Sequence, residues 1–172
     1  TRAASEAACR LPEAAHRNPM QNPRVTATDA RAQLLSDWIA STLRTPAFAM
    51  APASADASFR RYFRITPDAA ALGEATLIAM DAPPPQEDCR PFIQVAGLLR
   101  DAGLNAPRIL AQDLARGFLL VTDLGSTTYL SALNQHNARQ LFSDATDTLV
   151  RWQRATRAGA LPPYAEPLLR RE

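Results

Sequence analysis

The chain has 172 residues, a hydrophobic fraction of 47% and a charged fraction of 21%, which are ordinary proportions for one globular domain. Its net charge of +2 is too small to indicate nucleic acid or an anionic membrane surface as a partner. The two cysteines, Cys9 and Cys89, are far apart and outside any CxxC spacing, so neither a zinc site nor a disulfide framework is predicted. No apolar run approaches the roughly 20 residues of a membrane span and no secretory segment is recognised. We therefore expect a cytoplasmic protein with reduced thiols.

Arginine is the only basic residue type in the chain. All 19 basic residues are Arg, and there is no Lys. The absence of Lys and the high Ala and Pro content both indicate codon bias in a GC-rich genome. The bias still has a chemical consequence, because any site that needs a cation on a phosphate must use a guanidinium or a backbone donor.

Residues 1–24 mix Ala, Pro, Asn and charge without a sustained period, so we expect an irregular leader. We also expect the natural start at Met20, with the residues before it as a non-native extension. A helical pattern begins at Thr28, which is predicted to cap a helix that has Asp29 in its first turn and ends before Pro46.

Two strands are predicted next, at 59–66 and 75–81, joined as a hairpin by a polar, glycine-containing loop. A short apolar stretch at 48–50 precedes them, so that two or three strands are predicted in this part of the chain. The triple proline at 83–85 prevents regular continuation. A second helix is then predicted from Pro91 to a cap at Gly103.

Two more strands are predicted at 108–113 and 117–123, followed only by helices. The helices are a short one at 129–133 and a long one at about 137–157. We expect the apolar residues of the long helix to face inward against helices of a missing lobe, so that this face is exposed in the present chain. This order predicts an α+β fold in which an antiparallel sheet with a helix is joined by a linker to a helical region. The predicted domains are the leader at 1–24, the lobe with the sheet at 25–123, and the linker with the start of an incomplete helical lobe at 124–172.

The strongly specific short motifs are absent: there is no GxGxxG, Walker A, HExxH or GxSxG. The two histidines are His16, in the leader, and His136, in a polar helix start. We expect both to be solvated and neither to be catalytic.

Three segments together resemble the N-lobe of the aminoglycoside-phosphotransferase-like kinases, which have a protein-kinase-like fold. The segments are SADASFRRYFR at 54–64, LIAMDAPP at 77–84 and GFLLVTDLGSTTYLSAL at 117–133. The resemblance covers about residues 28–165 and is strongest to the bacterial anomeric kinases that act on N-acetylmuramate and N-acetylglucosamine in cell-wall recycling. It implies the N-lobe, hinge and first C-lobe helices of a sugar kinase that uses ATP and Mg²⁺.

The nucleotide-binding candidates form two groups. Small residues around Ser54 and Ser58 would let backbone N–H groups approach phosphate oxygens. The guanidinium groups of Arg60, Arg61 and Arg64 suit phosphate contact. A plainer interpretation is a strand that alternates exposed Arg with buried aromatic residues. The resemblance further implies that a hinge contacts the base, here at Val121, Thr122, Asp123 and Leu124. The plainer interpretation of that segment is an edge strand that ends in a capped helix.

Two departures from the kinase pattern limit these expectations. Met80 and Asp81 stand where a phosphate-binding Lys or Arg is usual, so Arg60 or Arg61 is the expected replacement. The HxDxxxxN and DFQ-like segments that supply the catalytic Asp and the metal ligands have no match in the chain. We therefore assign no catalytic or metal-binding residue here. Two alternatives remain, which are a phosphotransferase for an aminoglycoside or another small metabolite, and a non-catalytic nucleotide- or partner-binding module.

Overall fold

A single antiparallel sheet of five strands is the centre of the computed structural model, which describes residues 29–55 and 58–162. The strand order is β1-β2-β3-β5-β4. The strands are β1 (Phe48–Ala55), β2 (Arg61–Pro67), β3 (Leu77–Asp81), β4 (Ile109–Asp113) and β5 (Phe118–Thr122). The predicted pairing of 59–66 with 75–81, and the predicted inclusion of 108–112 and 117–122 in the same sheet, are both confirmed.

The first strand is longer than the sequence indicated. The apolar stretch at 48–50 opens an eight-residue strand that pairs with β2 from Phe48 opposite Pro67 to Ala55 opposite Arg61. The second half of this strand is rich in Ala and Ser, which have little intrinsic preference for strands. Pro52 is tolerated because β1 is an edge strand, and the register shifts between Pro52 and Ser54.

Helix α1 (Ala30–Leu43) covers one face of the sheet, which we call the α1 face. Its N-cap is Asp29, whose carboxylate accepts hydrogen bonds from the backbone N–H groups of Arg31 and Ala32. The predicted cap, Thr28, lies outside the described residues. The helix buries its own apolar stripe against fully buried strand residues. The residues of this packed layer are Leu35, Trp38, Ile39, Ile65, Leu77, Ala79, Phe118 and Leu120.

Helix α2 (Arg90–Asp101) packs on the opposite face, which we call the α2 face. Pro91 lies in its first turn, as predicted, and Gly103 follows it with a positive φ of 72°. Phe92, Ile93 and the buried Ala96 are among the helix residues that turn toward the sheet. The strand residues on this side include Met80, Leu119 and Val121, all buried.

Gly117 sets the close approach of the β4–β5 turn to the end of β3. Its φ is 74°, and an added Cβ would lie 1.9 Å from the carbonyl oxygen of Ala82. The Ala82 N–H donates to the Gly117 carbonyl over 2.8 Å. A glycine is therefore required at this position for both conformational and steric reasons.

The chain continues after β5 into α3 (Tyr129–Ala132), α4 (Ala138–Ala155) and a short 3₁₀ helix (Ala158–Ala160). Helix α4 has no buried residue within the described part of the chain, which agrees with the expectation that its apolar face is uncovered in this chain. Phe142 is 64% exposed and Leu149 is 54% exposed. No described helix is long and apolar enough to cross a membrane.

Candidate functional site

Each face of the sheet combines buried and partly buried strand residues. On the α1 face, Ile65, Leu77 and Ala79 are fully buried and Phe63 is partly buried. On the α2 face, Tyr62, Ile78 and Ile109 are only partly buried, although they belong to the same strands or to their neighbours. We call these three side chains the open strip. They form a partly uncovered apolar surface of the kind on which a planar ligand can lie.

The strand register fixes what lies beside the open strip. Arg64 pairs with Ile78, Ile78 with Val121, and Val121 with Ile109, so these residues form one row across four strands. Directly paired residues of antiparallel strands project on the same face. The row therefore carries an arginine at one end and an apolar surface along the rest.

Asp123 lies at the exit of β5, and four donors surround its carboxylate. Arg64 donates through Nε to Oδ2 over 2.6 Å and through Nη2 to Oδ1 over 3.2 Å. The Thr76 hydroxyl donates to Oδ2, and the Gly125 N–H donates to Oδ1. Hydrogen bonding from Arg64 holds the pKa of the Asp123 carboxyl below its usual value. The Asp123 carboxylate thus orders the hinge segment, which we define as residues 121–124. Because its oxygens are already hydrogen-bonded, the Asp123 side chain is poorly suited to bind a base.

Part of the backbone of the hinge segment is already hydrogen-bonded to Arg108. The Thr122 N–H donates to the Arg108 carbonyl over 3.1 Å, and the Thr122 hydroxyl accepts from the Arg108 N–H over 3.0 Å. Val121 and Thr122 are buried, whereas Leu124 is 52% exposed. The strand β5 that carries this segment lies between β3 and β4, so it is not an edge strand. Asp123, which is partly buried, and the exposed Leu124 are thus the less buried residues of the segment, and they follow an interior strand.

Arg61 projects toward the α1 face. Its Nη2 contacts Oδ2 of Asp81 at 2.5 Å and its Nε contacts the same oxygen at 3.0 Å. It also pairs with Asp29, and its guanidinium lies 5.7 Å from the ring centre of Phe63. Arg31 donates to the other oxygen of Asp81 over 2.6 Å. Asp81 is fully buried, so two arginines neutralise a carboxylate that has lost its water.

Arg60 projects toward the α2 face. Its Nε donates to Oε2 of Glu87 over 2.9 Å, and Glu87 lies in the loop between β3 and α2. Next to it, Tyr62 packs against the cluster of Met80, Leu119 and Val121 on that face. The residues from Arg60 to Arg64 span roughly 13 Å of extended chain, at about 3.3 Å per residue.

The two predicted serines lie at opposite sides of the β1–β2 connection. Ser54 is exposed in β1 and pairs in register with Tyr62. Ser58 is exposed, and its hydroxyl accepts a hydrogen bond from the Arg60 N–H over 3.2 Å. Residues 56 and 57 lie outside the described residues. The structure brings Ser58 and Arg60 together, whereas Val121 to Leu124 lie two strands away from β2.

Sequence reasoning missed the acidic partners Asp81 and Glu87 and the contribution of Arg31. The patterns carried no signal for Glu87 or Arg31, since both pair with residues distant in sequence. A signal for the different roles of Arg60 and Arg61 did exist. Adjacent residues of a strand point to opposite faces, and this rule alone separates the two arginines.

The described residues contain no group of three or more His, Cys, Asp or Glu side chains that could hold a metal ion. This part of the chain therefore does not fit a complete magnesium site. Cys89 is a buried free thiol whose pKa is raised by burial, and His136 is exposed. Neither is placed for catalysis within the open strip.

Comparison with known proteins gives one matching family and several close relatives. The model of the phosphotransferase enzyme family matches residues 49–172. The N-acetylmuramate/N-acetylglucosamine kinase of Pseudomonas aeruginosa is 52% identical over 154 residues, which cover 84% of this chain and 44% of the relative. The kinase of the same name from Pseudomonas putida is 47% identical over the same shares of both chains. That from Neisseria meningitidis serogroup B is 34% identical over 142 residues, or 80% of this chain and 41% of the relative. The chain thus spans less than half the length of these relatives.

Proposed function

This chain belongs to the phosphotransferase enzyme family, and we propose that it is the nucleotide-binding, amino-terminal part of an ATP-dependent sugar kinase. The open strip carries this proposal. It is a partly uncovered apolar surface on β2, β3 and β4, with a guanidinium near the start of β2 and an interior strand, β5, that leads into the partly buried Asp123 and the exposed Leu124. A nucleotide needs these three elements, which are an apolar surface for the base, backbone groups for its polar edge and a cation for its phosphates.

In this proposal the base lies against Ile78 and Ile109, and its edge hydrogen-bonds the backbone of Asp123 and Leu124. The Asp123 carboxylate keeps that backbone in place through Arg64, Thr76 and Gly125. The phosphates then point toward the β1–β2 connection near Ser54 and Ser58. Small side chains there allow backbone N–H groups to approach phosphate oxygens.

We propose the anomeric hydroxyl of N-acetylmuramate or N-acetylglucosamine as the acceptor, in cell-wall recycling. The relatives that carry the name of this kinase support the choice, at up to 52% identity. Magnesium would neutralise charge on the phosphates during transfer. We propose that its ligands and the catalytic carboxylate belong to a second lobe, since the described residues do not supply them. A kinase of this kind works where ATP is abundant, so we also propose a cytoplasmic location.

The test is product analysis with the full-length protein of which we propose this chain to be a part. ATP and each amino sugar are incubated with the protein, and the product is examined for phosphate and for its reducing end. Phosphorylation of the anomeric hydroxyl removes the reducing end, which is the expected result. Phosphate on another hydroxyl, or transfer only to an aminoglycoside, would contradict the proposed acceptor. ATP binding without transfer to any acceptor would favour a non-catalytic module.

A further inference from the structure

Two adjacent arginines, Arg60 just before β2 and Arg61 at its first position, have different chemical surroundings, although the sequence made them equal candidates. We propose that Arg60, held in position by Glu87, is the arginine that contacts the nucleotide phosphates, and that Arg61 is a structural residue. This inference rests on the proposed nucleotide site. It assigns the cation that the chain uses in the absence of lysine and gives Glu87 a positioning role.

Arg60 lies on the face that also carries the open strip. Its partner Glu87 belongs to the loop before α2, and Tyr62 continues the same face of the strand. A ligand that lies on Ile78 and Ile109 can therefore extend along the α2 face to Arg60 without crossing the sheet. The path of roughly 13 Å between Arg60 and Arg64 runs along one side of β2.

Arg61 lies on the other face and is already engaged there. Its guanidinium contacts the buried Asp81, pairs with Asp29 and stacks near Phe63. Because Asp81 is fully buried, withdrawal of Arg61 would leave that carboxylate with Arg31 as its remaining partner. A phosphate on the α2 face cannot recruit Arg61 without this loss and without moving the side chain to the other side of the sheet.

Glu87 suits a positioning role because it holds one nitrogen of Arg60. The contact runs from Nε to Oε2 at 2.9 Å, and the Glu87 side chain is 12% exposed. A guanidinium has five N–H donors, so an Nε contact is compatible with phosphate binding by the two terminal nitrogens. The carboxylate thus limits the rotamers of Arg60 and reduces the entropy that phosphate binding would otherwise remove.

The experiment compares ATP, ADP and adenosine binding by calorimetry in the full-length protein. Arg60→Ala should weaken ATP and ADP binding about 10-fold to 100-fold, the loss of one charge-assisted contact. The affinity of Arg60→Ala for adenosine should stay within about twofold of wild type, because adenosine has no phosphate for Arg60 to contact. Arg60→Lys should restore part of the ATP affinity. Glu87→Ala should weaken ATP about threefold with adenosine unchanged, and Glu87→Gln should lie between Glu87→Ala and wild type.

Arg61→Ala should lower the melting temperature but keep the ATP affinity of the folded protein within about threefold of wild type. If this variant does not fold, Arg61→Lys gives the same comparison, because it keeps the charge and loses the paired contact with Asp81. Arg116→Ala is the matched control and should leave ATP and adenosine affinity unchanged, since Arg116 forms an exposed pair with Asp113 on the α1 side.

The outcomes separate this inference from the proposed function. Failure of the wild-type protein to bind ATP would remove the proposed nucleotide site itself. ATP binding by wild type with an unchanged affinity in Arg60→Ala would overturn only the assignment of Arg60. A selective loss of ATP over adenosine affinity in the Arg61 variants would overturn it as well. Equal losses of ATP and adenosine in Glu87→Ala would show that Glu87 acts on the fold and not on the phosphate contact.

Discussion

Replacement of Asp81 by Ala tests the ion-pair cluster that joins α1 to the sheet. Asp81 is fully buried, and its two oxygens contact Arg31 and Arg61 at 2.6 Å and 2.5 Å. The substitution removes the shared partner of both arginines. The two guanidinium groups would then have to find water while their stems stay packed beside Phe118 and Phe63.

The expected cost follows from the burial of the three side chains. Removal of one partner from a buried ion pair usually costs about 3 to 5 kcal/mol. The side chains of Arg31 and Arg61 are 29% and 37% exposed, so they can regain some hydration. We therefore expect the lower end of the range, about 3 kcal/mol. With a urea slope of about 2 kcal/mol/M, the unfolding midpoint should fall by about 1.5 M.

The assay is equilibrium unfolding in urea, followed by tryptophan fluorescence in a Trp152→Phe background. The signal then comes from Trp38, which is buried in the layer that α1 forms with the sheet. The Asp113→Ala variant is a control because its pair with Arg116 is exposed, and its cost should be about 1 kcal/mol or less. The double variant Asp81→Ala/Arg61→Ala should be less destabilised than the sum of the two single variants. An Asp81→Ala midpoint equal to that of wild type, or strictly additive single losses, would refute the reasoning.

Three further predictions concern other parts of the chain. Hydrogen bonding from Arg64 lowers the pKa of Asp123, so the stability that this carboxylate contributes is present above its unfolded pKa of about 4 and is lost as pH falls through its folded pKa. In urea unfolding, Asp123→Asn should therefore be less stable than wild type at pH 7, with a smaller difference below about pH 4. A difference in stability that does not change with pH would contradict this. Deletion of residues 1–19 should change the free energy of unfolding by about 0.5 kcal/mol or less, because the segment has no periodic apolar face that could pack on a core. A clear drop in melting temperature would show that the leader contributes to the domain. The 172-residue chain alone should consume no ATP with either amino sugar. Phosphoryl transfer depends on the placement of a metal and an acceptor, and the described residues provide no metal-binding cluster. Turnover by this chain would place the catalytic groups within it.

The fold was largely predictable from the sequence because its strong signals are local. Alternation bounded by turn residues located β2, β3, β4 and β5, and periodicity with Pro91 and Gly103 located α2. Strand β1 was missed beyond Met50, since its Ala- and Ser-rich half is held by pairing with β2 and not by its own propensity. The apolar period of α4 showed which face is apolar, but a period alone does not identify the element that covers that face, and α4 has no buried residue in the described part of the chain.

The site was harder to predict because its contacts join residues far apart in sequence. Arg60 was singled out, but its partner Glu87 is 27 residues away. Asp123 was predicted to contact the base through its backbone, and the sequence did not show that its carboxylate pairs with Arg64, which is 59 residues away. Pairing partners of this kind depend on strand order, which a single sequence does not determine. The alternation of Arg60 and Arg61 was the one local signal that distinguished the two residues.

The proposed position of the nucleotide on the α2 face can be measured directly from isoleucine methyl groups. The chain has Ile78 and Ile109 on the open strip, and Ile39 and Ile65 fully buried on the α1 face as internal controls. We would titrate ATP into full-length protein labelled at isoleucine methyls and assign each signal by Ile→Val substitution. The methyl resonances of Ile78 and Ile109 should shift with ATP while those of Ile39 and Ile65 stay in place. Saturating ATP that leaves Ile78 and Ile109 unchanged, or shifts only the α1-face signals, would contradict it.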